Sequence, residues 1–246
     1  MSQPLIWAHR GASEEAPENT LPAFRLAAEE GADGVELDVQ LSRDGQIVVC
    51  HDEKIDRTSD GKGWVKDYTL AELKQFDFCY RKPGYRDVRI PTLAEVLELL
   101  KPTGLTVNIE IKTGIFFYDR IEEKVLELVR AEGWEDRVIY SSFNHETLRT
   151  LRRLNPSCRT GILYADGPVD VVSYALRIGA DALHPALYNL QYPGVLAEAR
   201  EKGVEINVWT VNETEHLKYC VQAGVHAVIT NVPEKARRVI ENPGDF

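Results

Sequence analysis

The sequence predicts a single (β/α)8 barrel of the α/β class, and three observations carry that reading. Short β-branched or apolar runs alternate with longer amphipathic stretches along 246 residues, close to the ~250 typical of one such barrel. Several helical stretches end in Gly or Asn just before the next apolar run, at Gly31, Gly133, Asn155, Gly179, Gly203 and Gly224. That punctuation belongs to parallel strands joined by crossover helices, not to hairpins. No GxGxxG follows the first strand, which disfavours an open doubly wound sheet.

The expected strands are, in order, Leu5–His9, Gly34–Leu41, Leu105–Lys112, Arg137–Ser141, Arg159–Leu163, Ala182–His184, Glu205–Thr210 and Ala227–Thr230. A further short run, Gln46–His51, lies beside the second. The expected helices begin with Thr20–Glu30, where Thr20 stands at the cap and Pro22 falls in the first turn, where a missing N–H costs little. Thr92–Lys101, Asp119–Glu132, Asn144–Leu154, Val169–Ile178, Tyr192–Lys202, Glu213–Ala223 and Pro233–Glu241 follow. Residues 52–91 break the rhythm with glycines, prolines and charges, and only Leu70–Phe76 reads as helix there. Trp64, Tyr68, Phe76, Phe78, Tyr80 and Tyr85 make this segment a packed insertion within one domain spanning 1–246.

Composition excludes several classes. A net charge of −10 without a basic stripe argues against nucleic-acid binding. No run approaches the ~18 apolar residues of a membrane span, and no signal peptide is visible in the opening residues. Cys50, Cys79, Cys158 and Cys220 are scattered without metal-ligand spacing, as expected of free thiols in a cytoplasmic protein. A small anionic substrate remains compatible, because a local cation can override the global field.

In a barrel of this type the reactive groups sit at the C-terminal ends of the strands. Residues i and i+2 of a strand share a face, so Glu36 and Asp38 point together, as do Asn108, Glu110 and Lys112. Three carboxylates from two neighbouring strands form an oxygen-rich site for a hard divalent cation, Mg2+ or Ca2+, with Mn2+ also compatible. The same alternation would also suit half-exposed strands with solvated charges, a reading weakened where helices flank the sheet. His9 and His51 each close a strand on the expected catalytic rim, where imidazole can act as general acid or base. His184 also ends a strand and could line the pocket, whereas His145, His216 and His226 are expected at the surface. Lys112 can hold a phosphate oxygen or form a Schiff base. Trp209 is either a pocket wall or core packing. Glu18 and Asn19 either pair with Arg10 or, in the case of Asn19 and Thr20, simply cap the helix.

The segments His9-Arg10-Gly11, Pro17-Glu18-Asn19-Thr20, Glu36-Leu37-Asp38-Val39, His51-Asp52, Ile90-Pro91-Thr92-Leu93, Asn108-Ile109-Glu110-Ile111-Lys112, Ser142-Phe143 and Trp209-Thr210-Val211-Asn212 occur in this order. Together they resemble the glycerophosphodiester phosphodiesterase family along nearly the whole chain. The resemblance implies metal carboxylates at Glu36, Asp38 and Glu110, and catalytic histidines at His9 and His51. It further implies phosphate-contacting cations at Arg10 and Lys112, and an aromatic near the glycerol end at Trp209. One departure is Thr230-Asn231-Val232-Pro233, where the family often has Thr-Asp-x-Pro; Asn231 reads as a loop substitution. The implied activity is metal-dependent hydrolysis of a small glycerophosphodiester to glycerol 3-phosphate and an alcohol. Its competitors are a phospholipase D-like activity on the same barrel, a Schiff-base lyase using Lys112, and a non-catalytic binding protein.

Overall fold

A computed structural model describes residues 3–79 and 81–242. Tyr80, counted above among the aromatics of the insertion, and the opening residues Met1 and Ser2 lie outside the described residues. The strands are β1 (Leu5–His9), β2 (Gly34–Leu41), β3 (Ile47–Val49), β4 (Thr106–Ile111), β5 (Val138–Ser142), β6 (Arg159–Tyr164), β7 (Ala182–Pro185), β8 (Glu205–Val208) and β9 (Ala227–Thr230). The helices are α1 (Leu21–Glu29), α2 (Leu70–Leu73), α3 (Leu93–Leu100), α4 (Ile121–Ala131), α5 (His145–Leu154), α6 (Val171–Ile178), α7 (Val195–Lys202), α8 (Thr214–Ala223) and α9 (Pro233–Glu241).

Eight parallel strands run around the sheet in the order β1, β9, β8, β7, β6, β5, β4, β2, and the β1–β2 pairing closes it into a barrel. The exception is β3, which pairs antiparallel with the end of β2 outside the ring. It leads into residues 52–91, whose Ile55, Val65, Leu73, Phe78 and Ile90 form a small apolar cluster with Val48 and Cys50. The main apolar core lies between strands and helices, where Leu37, Ile109 and Ile111 meet Phe24, Leu93 and Leu97.

Boundary differences from the sequence reading have local causes. Helix α7 starts at Val195, not Tyr192, because Pro193 keeps Tyr192 extended (ψ 129°) and Gly194 adopts a left-handed conformation (φ 84°). Asn155 stands at the C-cap of α5 as expected, but with an extended backbone (φ −137°), and its side chain accepts from Ser157. Thr20 stands at the start of α1 but does not cap it, since its hydroxyl donates to the Pro17 carbonyl. All four cysteines are free thiols. Among the described residues no helix is long and apolar enough to cross a membrane.

Candidate active site

Strand register builds the site. In the parallel pair β2–β4, Glu36 lies beside Asn108 and Asp38 beside Glu110. All four point into the barrel and are buried. One oxygen from each of Glu36, Asp38 and Glu110 falls within a 4.8 Å group. The carboxylates feel each other strongly. Burial, Asp38 and Glu110 hold the Glu36 carboxyl well above the usual carboxylate range, and burial with Asp38 raises Glu110. Burial alone would raise Asp38 too, but His51, Arg10 and Lys112 outweigh it and hold it at about 2.

The cations sit against this cluster. Lys112 Nζ is 3.1 Å from Glu110 and 3.9 Å from Asp38, and Arg10 Nε is 3.5 Å from Asp38. The Arg10 amide donates to Glu36 Oε2 at 3.1 Å. That contact needs an unusual backbone: Arg10 has φ 58°, and Gly11 follows with φ 82°. A Cβ on Gly11 would lie 2.6 Å from the Ala23 backbone, so only glycine fits between β1 and α1. Asn19, which the sequence offered as a helix cap, donates instead to Asp38 Oδ2 at 2.8 Å. Two buried oxygens in this group, Asp38 Oδ1 and Asn108 Oδ1, have no hydrogen-bond partner. Hard oxygen donors, a crowded negative charge and a buried carboxylate oxygen without a hydrogen bond fit a divalent cation at Glu36, Asp38 and Glu110.

The two histidines stand at the rim with different partners. His9 Nδ1 is 2.7 Å from Asn231 Oδ1, and its Nε2 faces Glu36 at 3.9 Å. Asn231 is therefore more than a loop substitution: its amide oxygen accepts from Nδ1, leaving the Nε2 lone pair turned into the pocket. Burial and Arg10 push His9 down to about 4, so it is neutral at physiological pH. His51 Nδ1 instead meets a carboxylate, Asp52 Oδ1, at 2.7 Å. The backbone beneath it is stapled by buried Gln40, the next inward residue of β2, whose amide donates to the carbonyls of Cys50 and Asp52 at 2.8 Å each.

His9, Arg10, Glu36, His51, Glu110 and Trp209 line one cavity, and Asp38 and Lys112 contact its acidic wall. Trp209 forms a wall: its Nε1 donates to the His184 carbonyl at 2.8 Å and its ring meets Phe143 edge-on. His184 is not a lining residue. It is fully buried below the cavity, bonded by Asn207 at 2.9 Å, and burial lowers it to about 3. Gly161 makes room for it, since a Cβ there would lie 2.2 Å from His184 Nε2. His145 is also no simple surface residue: it is half-buried, bonded to the Tyr174 hydroxyl and the Leu163 carbonyl. The sequence reading missed Gln40, Arg57 and the partner role of Asn231; of these, only Gln40 carried a signal, two residues beyond Asp38 on the same face.

A parallel barrel whose C-terminal rim gathers two imidazoles, three carboxylates, a lysine and an arginine has the equipment of a phosphoryl-transfer hydrolase. The chain belongs to the glycerophosphoryl diester phosphodiesterase family, whose model matches residues 9–235, and it is an enzyme of that family. It is 44% identical over 241 residues to a glycerophosphodiester phosphodiesterase of Caldanaerobacter subterraneus, covering 98% of this chain and 99% of the relative. A phosphodiesterase of Oleispira antarctica, solved with its product sn-glycerol-3-phosphate, superposes with a TM-score of 0.90 at 30% identity, covering 97% of each chain. The Thermotoga maritima glycerophosphodiester phosphodiesterase superposes with a TM-score of 0.80 at 31% identity, covering 97% of this chain and 99% of that one.

Proposed function

We propose that this enzyme hydrolyses small glycerophosphodiesters to glycerol 3-phosphate and an alcohol, using one divalent cation and a pair of histidines. The observation that carries the reading is the placement of His9 and His51 on the same cavity as the carboxylates of Glu36 and Glu110. His9 acts as general base: it is neutral, and with Nδ1 committed to Asn231 its Nε2 is free to take a proton from the attacking oxygen. His51, which lines the same cavity with its Nδ1 held by the Asp52 carboxylate at 2.7 Å, acts as general acid and gives its proton to the leaving alcohol. Arg10 and Lys112 hold the phosphate oxygens and offset the charge that builds there. Trp209 packs against the glycerol. A Mg2+ or Ca2+ ion (Mn2+ fits the same donors) held by Glu36, Asp38 and Glu110 would supply Lewis acidity and an anchor for phosphate.

Lys112 does not suit the Schiff-base alternative. Burial would lower it, but Glu110 and Asp38 raise it above its ordinary value, which keeps the amine protonated and non-nucleophilic. The chain is read as one domain with residues 52–91 inserted, working in the cytoplasm, where its free thiols stay reduced, on the border of lipid and glycerol metabolism. The deciding experiment is hydrolysis of a glycerophosphodiester panel after EDTA treatment, with Mg2+, Ca2+ or Mn2+ restored. Activity lost on stripping and recovered with metal is expected. Full activity in stripped enzyme, or none on any diester, would overturn the reading.

A further inference from the structure

Arg57 belongs to the insertion, yet its guanidinium lies on the barrel rim. Nε and Nη2 donate to Asp52 Oδ2 and Oδ1 at 2.7 and 2.9 Å. Nη1 and Nη2 donate to Glu18 Oε2 and Oε1 at 2.6 and 2.8 Å. One planar fork thus joins two carboxylates from segments 34 residues apart, a geometry lysine cannot reproduce. Each carboxylate continues the chain of contacts. Asp52 holds His51 Nδ1 at 2.7 Å, and Glu18 accepts from Arg10 Nη1 at 3.0 Å, with Arg10 Nε 3.5 Å from Asp38.

The neighbours of Arg57 explain why it can act as a fixed point. Ile55 and Thr58 on either side are buried, and Ile55 belongs to the apolar cluster of the insertion. The backbone of residues 50–52 is already fixed by Gln40. What Gln40 does not fix is the carboxylate of Asp52, and therefore the ring plane of His51. His9 is held differently, since its Asn231 partner is a neutral amide just past the end of the neighbouring strand β9.

We propose that Arg57 is a positioning residue for the reaction: by clamping Asp52 against Glu18 it sets the orientation of His51, so that the insertion takes part in turnover. This rests on His51 being the proton donor. Glu18 is nearly buried beneath this fork, and a purely structural Arg57 would change stability while leaving turnover per folded molecule untouched.

The test is steady-state hydrolysis of glycerophosphocholine by Arg57→Met, Arg57→Lys, Asp52→Asn and the Arg57→Met/Asp52→Asn double variant, each with metal restored. Wild-type hydrolysis must be seen first, which separates this proposal from the functional reading beneath it. Arg57→Met is expected to lower kcat about 10- to 100-fold, as loss of a supporting partner does, with KM changed less than about twofold. Arg57→Lys is expected to fall between wild type and Arg57→Met. The double variant is expected to be no slower than Asp52→Asn alone, because both changes break one linkage. In 15N–1H spectra of the folded proteins, the His51 Nδ1 proton is expected to lose its strongly hydrogen-bonded shift in Arg57→Met and Asp52→Asn alike. Wild-type kcat in Arg57→Met, or losses that multiply in the double variant, would overturn the proposal. An unchanged His51 signal in folded Arg57→Met would do the same, even where a lower yield of folded protein obscured the kinetics.

Discussion

The two faces of β2 and β4 have opposite chemistry although they come from the same few residues. Outward, Val35, Leu37, Val39, Val107, Ile109 and Ile111 are buried aliphatics packed under the helices. Inward, Glu36, Asp38, Gln40, Asn108 and Glu110 are just as inaccessible but polar or charged. Burial alone therefore does not separate structural from functional residues in this barrel. The partners do: the outward side chains are satisfied by contact, whereas the inward ones leave Asp38 Oδ1 and Asn108 Oδ1 without a hydrogen bond.

Substitutions on adjacent residues sharpen that contrast. On the inward face, Asp38→Asn and Glu110→Gln, together with His9→Ala and His51→Ala at the rim, are each expected to reduce turnover by about two orders of magnitude or more. Circular dichroism and melting temperature should report a retained fold. Added Mg2+ or Ca2+ should raise the melting temperature of the wild type and not of Asp38→Asn, because a ligand stabilises only the state that binds it. Next in size, Leu37→Ala or Ile109→Ala on the outward face should cost about 2–5 kcal/mol in urea denaturation, the usual range for emptying a core site. Their kcat at a temperature where they remain folded should match wild type. An outward substitution that abolished catalysis without loss of stability would break the division.

Smaller effects come from beneath the site. His184 is held neutral by burial, its value lowered from 6.5 to about 3. A lowered histidine binds fewer protons folded than unfolded between those values, so its contribution is complete above pH 6.5 and declines as the pH falls toward 3. By pH 5 the loss is about 2 kcal/mol. The raised carboxylates of Glu36 and Glu110 act in the opposite direction, so the measurement is a difference: wild type should lose more stability than His184→Asn between pH 7.5 and 5. Gly161→Ala, which places a methyl 2.2 Å from His184 Nε2, should cost about 1–3 kcal/mol by overpacking while leaving kcat nearly unchanged.

Much of this was legible from the chain because its strands follow a period of two over short distances. The bounds of β1, β2 and β9 coincide with the apolar runs, and the acidic triad follows from alternation in Glu36-Leu37-Asp38 and Asn108-Ile109-Glu110. What stayed hidden was set at long range. Asn231 meets His9 across 222 residues, and Arg57 meets Glu18 across 39. Asn19 and Thr20 carried a misleading local signal, since side chains that precede a helix usually cap it. His184 stands one residue before the end of β7 whereas His9 closes β1, and tilted, staggered strands put such positions at different depths, which periodicity does not show.

The pairing of Asp38 with Glu110 on neighbouring strands has an engineering consequence. Their separation is dictated by the ~4.8 Å lattice of the sheet, and no loop length or loop sequence enters into it. The rim loops are thereby released to diversify, and new leaving groups can be accommodated by editing them while the anionic centre keeps its dimensions.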